Sequence, residues 1–212
     1  KIALIDTVES GFEEEFIANV RETVGERQVD YLVVNHMEPD HSSLITFMLD
    51  QYPDMKILAN AKTLPMLKGY HNVPEDRVQI VTEGEAVSLG TCSLRFHMTP
   101  MVHWPETMVT WLEEEGTLFS GDAFGTFGSI DDNVVDSEGT FEQYCDEMTR
   151  YYACIVGKYG TPVQTALKKL GGLSIKRICS THGPVWEREI SPVVALYDKL
   201  SRYEVERGVC IV

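Results

Sequence analysis

Within six residues, His36-Met37-Glu38-Pro39-Asp40-His41, the chain offers four side chains able to ligate a metal, directly after the apolar run Tyr31-Leu32-Val33-Val34. A strand that ends in such a cluster holds its donors on a rigid support and leaves an open face above them. Imidazole and carboxylate together suit first-row transition metals. The stretch reads as a metal site, and it calls for a fold in which strand ends carry functional loops.

The chain of 212 residues is long enough to bury a full core and is most simply one domain. Its 43% apolar and 24% charged residues are ordinary for a globular protein. No apolar run approaches the ~18 to 20 residues of a spanning helix, and no basic-then-apolar leader opens the chain, so a cytoplasmic protein without membrane contact is predicted. The 33 acidic against 18 basic residues give a net charge of −15, which argues against nucleic acid as a partner. Five scattered cysteines, Cys92, Cys145, Cys154, Cys179 and Cys210, form no C-x-x-C pair. They are predicted to be reduced, mostly buried thiols.

The order of elements is alternating at first. A strand over residues 1–6 precedes a helix with Phe12, Phe16, Val20 and Val24 on one side, then the strand at 31–34. Ser42 and Ser43 are placed to cap a helix carrying Leu44, Ile45 and Met48; a strand at 56–59 and a helix at 61–67 follow. From Val78 the period changes to paired strands at 78–81, 86–89 and 93–98. Strands at 108–111 and 117–120 read as a hairpin around Glu113-Glu114-Glu115-Gly116. Helices at 141–156, from about Pro162, and at 192–203 are predicted, with a strand at 174–180. The final run Gly208-Val209-Cys210-Ile211-Val212 has the continuous apolar character of a strand buried on both faces, and the chain reads as a piece of a longer polypeptide.

Three further candidate ligands stand just past predicted strands: His103, Asp122 and His182. Seven ligands exceed the needs of one ion. Four histidines and three carboxylates make two four-ligand sets if one carboxylate is shared, and Asp can bridge metals about 3.5 to 4 Å apart. Alternation along an extended loop sets His36 with Glu38, while Asp40 and His41 lie where the chain turns into a helix. The reading is therefore His36, Glu38 and His103 on one metal, Asp40, His41 and His182 on the other, and Asp122 between them. A single histidine after a strand is more often a surface or capping residue, and it is the combination that favours a metal centre. His71 and His97 are predicted to be solvated bystanders. Asp6 is either a support for a ligand or a turn residue. Tyr151 and Tyr152 read as core and boundary aromatics.

The pattern H-x-E-x-D-H followed by His, Asp and His, in the contexts Asn35-His36, His41-Ser42, His103-Trp104-Pro105, Ser120-Gly121-Asp122-Ala123-Phe124-Gly125 and His182-Gly183-Pro184, resembles the flavodiiron proteins (A-type flavoproteins). The resemblance implies an α/β (α+β) fold, a metallo-β-lactamase-like αββα sandwich with its first strands missing, over residues 1–207. Residues 208–212 would then be the first strand of a flavodoxin-like domain that is otherwise absent. It implies the same seven ligands, His36, Glu38, Asp40, His41, His103, Asp122 and His182, around two iron ions with a carboxylate bridge and an oxo or hydroxo bridge. Catalytic residues beyond these ligands are not implied, and the FMN-binding segment lies outside the chain. The implied activity is reduction of dioxygen to water, of nitric oxide to nitrous oxide, or both. Electrons would come through FMN from a donor such as rubredoxin or an NADH-linked reductase, in a head-to-tail homodimer or tetramer.

Two rivals share these residues. Zinc hydrolases of the same superfamily look like H-x-H-x-D-H, whereas this chain has Glu38 at the second histidine; the hard anionic oxygen stabilises a ferric ion and favours redox chemistry. The other rival is a flavin-independent diiron sensor that binds oxygen without turnover.

Overall fold

The computed structural model describes residues 1–130, 133–204 and 208. The described residues divide into two compact units, one of residues 1–100 and 104–115, the other of residues 101–103 and the described residues from Gly116 onward.

The first unit opens with β1 (Ala3–Ile5), α1 (Glu13–Val24), β2 (Tyr31–Val33), α2 (Pro39–Ser42), α3 (Ile45–Gln51), β3 (Lys56–Ala59), α4 (Thr63–His71) and β4 (Val78–Ile80). The four strands form a parallel sheet in chain order, with Leu4 opposite Leu32, Leu32 opposite Ile57 and Ile57 opposite Val78. Strands covered on both faces need apolar side chains at every position, and Leu32, Val33, Ile57 and Leu58 are completely buried. Alternation sends Leu32, Ile57 and Ala59 toward Ile17, Val20, Met48 and Leu67 of the helices. Val33 and Leu58 point the other way, onto Val87, Leu94, Phe96 and Met108. Those residues belong to β5 (Ala86–Ser88), β6 (Ser93–Met98) and β7 (Met108–Leu112), an antiparallel set packed on the second face. Each fully buried aliphatic side chain here contributes about 1.5–3 kcal/mol.

Several expectations are corrected. The buried stripe of α1 is Ile17, Val20 and Val24, while Phe12 lies before the helix and is exposed. Ser42 and Ser43 cap nothing: their hydroxyls donate backward to the carbonyls of Met37, Glu38 and Pro39, and α3 begins after Leu44 without a side-chain cap. β4 pairs with β3 in the parallel sheet, so the change of pairing falls after it. None of the four described cysteines is buried.

The second unit holds β8 (Thr117–Gly121), α5 (Thr140–Ile155), α6 (Gly160–Leu170), β9 (Arg177–Ser180) and α7 (Ile190–Ser201). β8 and β9 run parallel, with Leu118 opposite Ile178 and a slip between Phe119 and Gly121. α7 lies against both α5 and α6, and the Tyr152 and Tyr197 rings meet edge to face at 5.0 Å. Burial pushes the Tyr152 phenol up to about 12. Apart from Gly208, the predicted terminal strand lies outside the described residues. No helix among the described residues is long and apolar enough to cross a membrane.

Candidate metal centre

Asn35 sets the start of the ligand loop after β2. Its N–H donates to Asp6 Oδ1 at 2.7 Å, its carbonyl accepts from the Met108 N–H at 3.0 Å, and its side-chain oxygen accepts from the Thr110 hydroxyl at 2.7 Å. The next residue, His36, is thereby fixed at a strand end and is wholly buried. Glu38 is extended and precedes Pro39 at the start of α2, which places Asp40 and His41 within the first turn of that helix.

The two imidazoles of this loop are built alike. His36 Nδ1 lies 2.9 Å from Glu106 Oε1 and its Nε2 lies 3.3 Å from Glu38 Oε2. His41 Nδ1 lies 3.7 Å from Asp6 Oδ2 and its Nε2 lies 3.6 Å from Asp40 Oδ2. Each ring therefore turns Nδ1 toward a buried carboxylate and Nε2 toward a partly exposed one.

Burial alone would raise the Glu106 carboxyl, but hydrogen bonds from His36 and from backbone N–H groups, Met37 among them, outweigh it and hold it below the usual carboxylate range. A carboxylate at Nδ1 favours the tautomer that donates there and leaves Nε2 to face a metal. Trp104 stands edge-on to His36 at 5.0 Å.

In the second unit, Asp122 follows β8 and is almost fully buried. Its Oδ2 lies 3.1 Å from His103 Nε2, and its Oδ1 lies 3.4 Å from His182 Nε2. The Tyr151 hydroxyl donates to Oδ1 at 3.2 Å and the Thr181 hydroxyl does so at 3.3 Å. The carboxylate thus turns a different oxygen to each of two imidazoles.

Comparison with known proteins gives the setting. The chain is 34% identical over its whole length to the anaerobic nitric oxide reductase flavorubredoxin of Escherichia coli O1:K1 / APEC, of which it covers 45%. A flavo di-iron protein mutant from Thermotoga maritima superposes with a TM-score of 0.87 at 30% identity, over 94% of this chain and 49% of that one. The rubredoxin oxygen:oxidoreductase of Desulfovibrio gigas gives 0.86 at 27% identity, over 94% and 51%. Residues 1–183 match the family described as ODP family beta lactamase.

The chain belongs to that β-lactamase-like family of the flavodiiron proteins.

Flavodiiron membership gives the chain a metallo-β-lactamase-like αββα fold. The chain spans about half the length of the flavodiiron relatives it matches. The donor chemistry fits a cation. Within each unit, carboxylate oxygens lie 3.1–3.6 Å from the imidazole Nε2 atoms of the four histidines. Neutral imidazole and hard carboxylate oxygen without thiolate is a set suited to iron among the first-row ions.

Three residues stand beside these donors, and only one of them, Glu106, has no reading in the sequence. Glu106, in Trp104-Pro105-Glu106-Thr107, is the carboxylate behind His36, and only its place just beyond His103 hinted at it. Asp6 is resolved as the carboxylate behind His41 rather than a mere turn residue. Tyr151 is buried as expected, yet its hydroxyl reaches Asp122.

His97 and His71 are less solvated than expected. His97 pairs with Glu83 at 2.9 Å, and its side chain is only 12% exposed. His71 ends α4, half-buried, instead of lying in a loop.

Proposed function

We propose that the chain is the diiron-bearing part of a reductase of dioxygen, of nitric oxide, or of both. The observation that carries this reading is Asp122, one carboxylate whose two oxygens face His103 and His182 separately. A bridging carboxylate has that disposition. In this scheme His36, Glu38 and His103 would hold one iron, Asp40, His41 and His182 would hold the other, and Asp122 would serve both. The names of the relatives support the reaction class: nitric oxide reductase for one, oxygen:oxidoreductase for another.

Two iron ions held this way would supply the electrons for reducing a diatomic substrate. The chain's own residues do the rest. Glu106 and Asp6 orient His36 and His41 and keep Nε2 of each ring forward. Tyr151 holds a proton at Asp122 Oδ1. Trp104 covers one edge of His36 and limits water there.

The finer reading follows the family. Electrons enter through FMN in a flavodoxin-like domain that begins at residues 208–212, residues 1–207 forming the diiron domain. The donor is rubredoxin, in keeping with the name of the Desulfovibrio gigas relative, or an NADH-linked reductase. The assembly is a head-to-tail homodimer or tetramer in the cytoplasm.

Metal analysis and Mössbauer spectroscopy of the full-length polypeptide, with anaerobic titration by reduced flavin, test this. Two coupled irons per chain and steady consumption of oxygen or nitric oxide are expected. Zinc with ester or lactam cleavage would overturn the proposal in favour of a hydrolase, and a stable oxygen adduct without turnover would make it a sensor.

A further inference from the structure

The segment that carries His182 has no regular structure of its own between the end of β9 and the start of α7, yet it is pinned at almost every residue. The His182 carbonyl accepts from the Thr126 N–H at 3.2 Å and from the Ser180 hydroxyl at 2.9 Å. Val185 forms a parallel bridge with Val135, donating to the Val134 carbonyl at 2.7 Å and accepting from the Asp136 N–H at 2.9 Å. The Trp186 indole donates to the Phe124 carbonyl at 3.1 Å, two residues past Asp122.

The last tie is a carboxylate. Asp136 is 4% exposed, and the consecutive N–H groups of Glu187, Arg188 and Glu189 all converge on it: Oδ1 accepts from Glu187 at 2.8 Å, Oδ2 from Glu189 at 2.8 Å, and both oxygens from Arg188 at 3.1 and 3.0 Å. The tie is reciprocated. The Glu189 carboxylate accepts from the N–H groups of Gly139 at 3.2 Å and Phe141 at 2.6 Å, at the start of the helix whose Tyr151 reaches Asp122. Two exchanged carboxylates therefore lock the segment after β9 to the segment preceding α5.

We infer that Asp136 is a positioning residue for the metal centre: by gathering three backbone N–H groups it fixes the approach of His182, and through α5 that of Tyr151, to Asp122. The inference rests on the reading of Asp122 and His182 as ligands. An anion holding successive N–H groups is specific in a way a neutral side chain is not, because an amide in its place turns a donor toward one of those donors. His182 belongs to one of the two proposed ligand sets, whereas Asp122 would serve both, so the loss of Asp136 weighs more heavily on the ion of the His182 set.

The test is stepwise titration of the metal-free full chain with cobalt(II), read by its visible spectrum and by a competing chelator, on wild type, Asp136→Asn and the milder Glu189→Gln. Wild type is expected to take two ions. Asp136→Asn should keep one ion within a few-fold of wild-type affinity and weaken the other on the order of 10–100-fold, with the larger spectral change for the weakened ion. Glu189→Gln should shift the same ion by less. Equal weakening of both ions, no weakening, or loss of the fold in both variants would overturn the positioning role and leave a purely structural one. If wild type itself takes fewer than two ions, the dinuclear reading fails, and this inference goes with it.

Discussion

His36 and Glu106, 70 residues apart in the chain, meet at 2.9 Å with neither side chain more than 1% exposed. The contact fixes which nitrogen of the ring faces forward, so its loss should appear in metal affinity before it appears in the fold. Glu106→Gln keeps an oxygen for His36 and the Met37 N–H but loses the charge, and the ion on His36 is expected to bind about tenfold more weakly. Glu106→Ala should approach about 100-fold, and should lower stability by about 1–3 kcal/mol because buried donors are left unmade. Chelator competition reads the first effect and chemical denaturation the second. Unchanged affinity in both variants would show that the carboxylate serves packing alone.

Tyr151→Phe isolates the hydroxyl at Asp122. The ring keeps its edge contact with Phe127 at 5.0 Å, so the core is undisturbed. A hydrogen bond to a charged group, long at 3.2 Å, should cost about 1.5 kcal/mol of stability when removed. Metal content should not change. Turnover in the full-length protein should fall on the order of 100-fold if the hydroxyl delivers a proton. Equal turnover in the variant would remove Tyr151 from the chemistry.

The parts legible in the sequence are those with a local period. β3 and β6 lie where the apolar pattern puts them, at Lys56–Ala59 and Ser93–Met98, because alternation or a short buried run marks its own ends. Pairing is not local, so β4 was grouped with β5 when its backbone partners lie on β3. Serines near a helix were read as caps, but Ser42 and Ser43 spend their hydroxyls on the preceding turn. The ligand cluster is visible as four donors in six residues, whereas of the carboxylates behind it Asp6 is legible only as one of two alternatives and Glu106 not at all. Asp6 and Glu106 belong to other strand ends, and only the fold brings them to the rings of His41 and His36. His97 was judged by alternation alone, which gives the face of a strand but not what covers it, here Glu83.

Acid should weaken the fold in part through His71. Burial lowers its pKa below the ordinary 6.5, since the charged imidazolium loses hydration at the end of α4. The unfolded chain then binds the proton more tightly than the folded one. The contribution to stability is complete above about pH 6.5 and is lost as pH falls through the lower folded value. His71→Gln removes that titration, so its denaturation midpoint should fall less than that of wild type between pH 7 and 5. Parallel profiles for the two proteins would assign the acid sensitivity to other groups.

Gly183 follows His182 with φ at +89°, and a Cβ built there would stand 2.3 Å from Thr126 Cγ2. Gly183→Ala therefore carries two costs, a left-handed backbone for a residue with a Cβ and a clash with a packed methyl, together about 2 kcal/mol or more. The costs can be separated. Thr126→Ser deletes the methyl yet keeps both the hydroxyl that donates to the Phe127 carbonyl and the N–H that donates to the His182 carbonyl. In the double variant about 1 kcal/mol should return, leaving the backbone strain in place. Simple addition of the two single effects would mean that the methyl is not what the new Cβ meets, and that the loop gives way elsewhere.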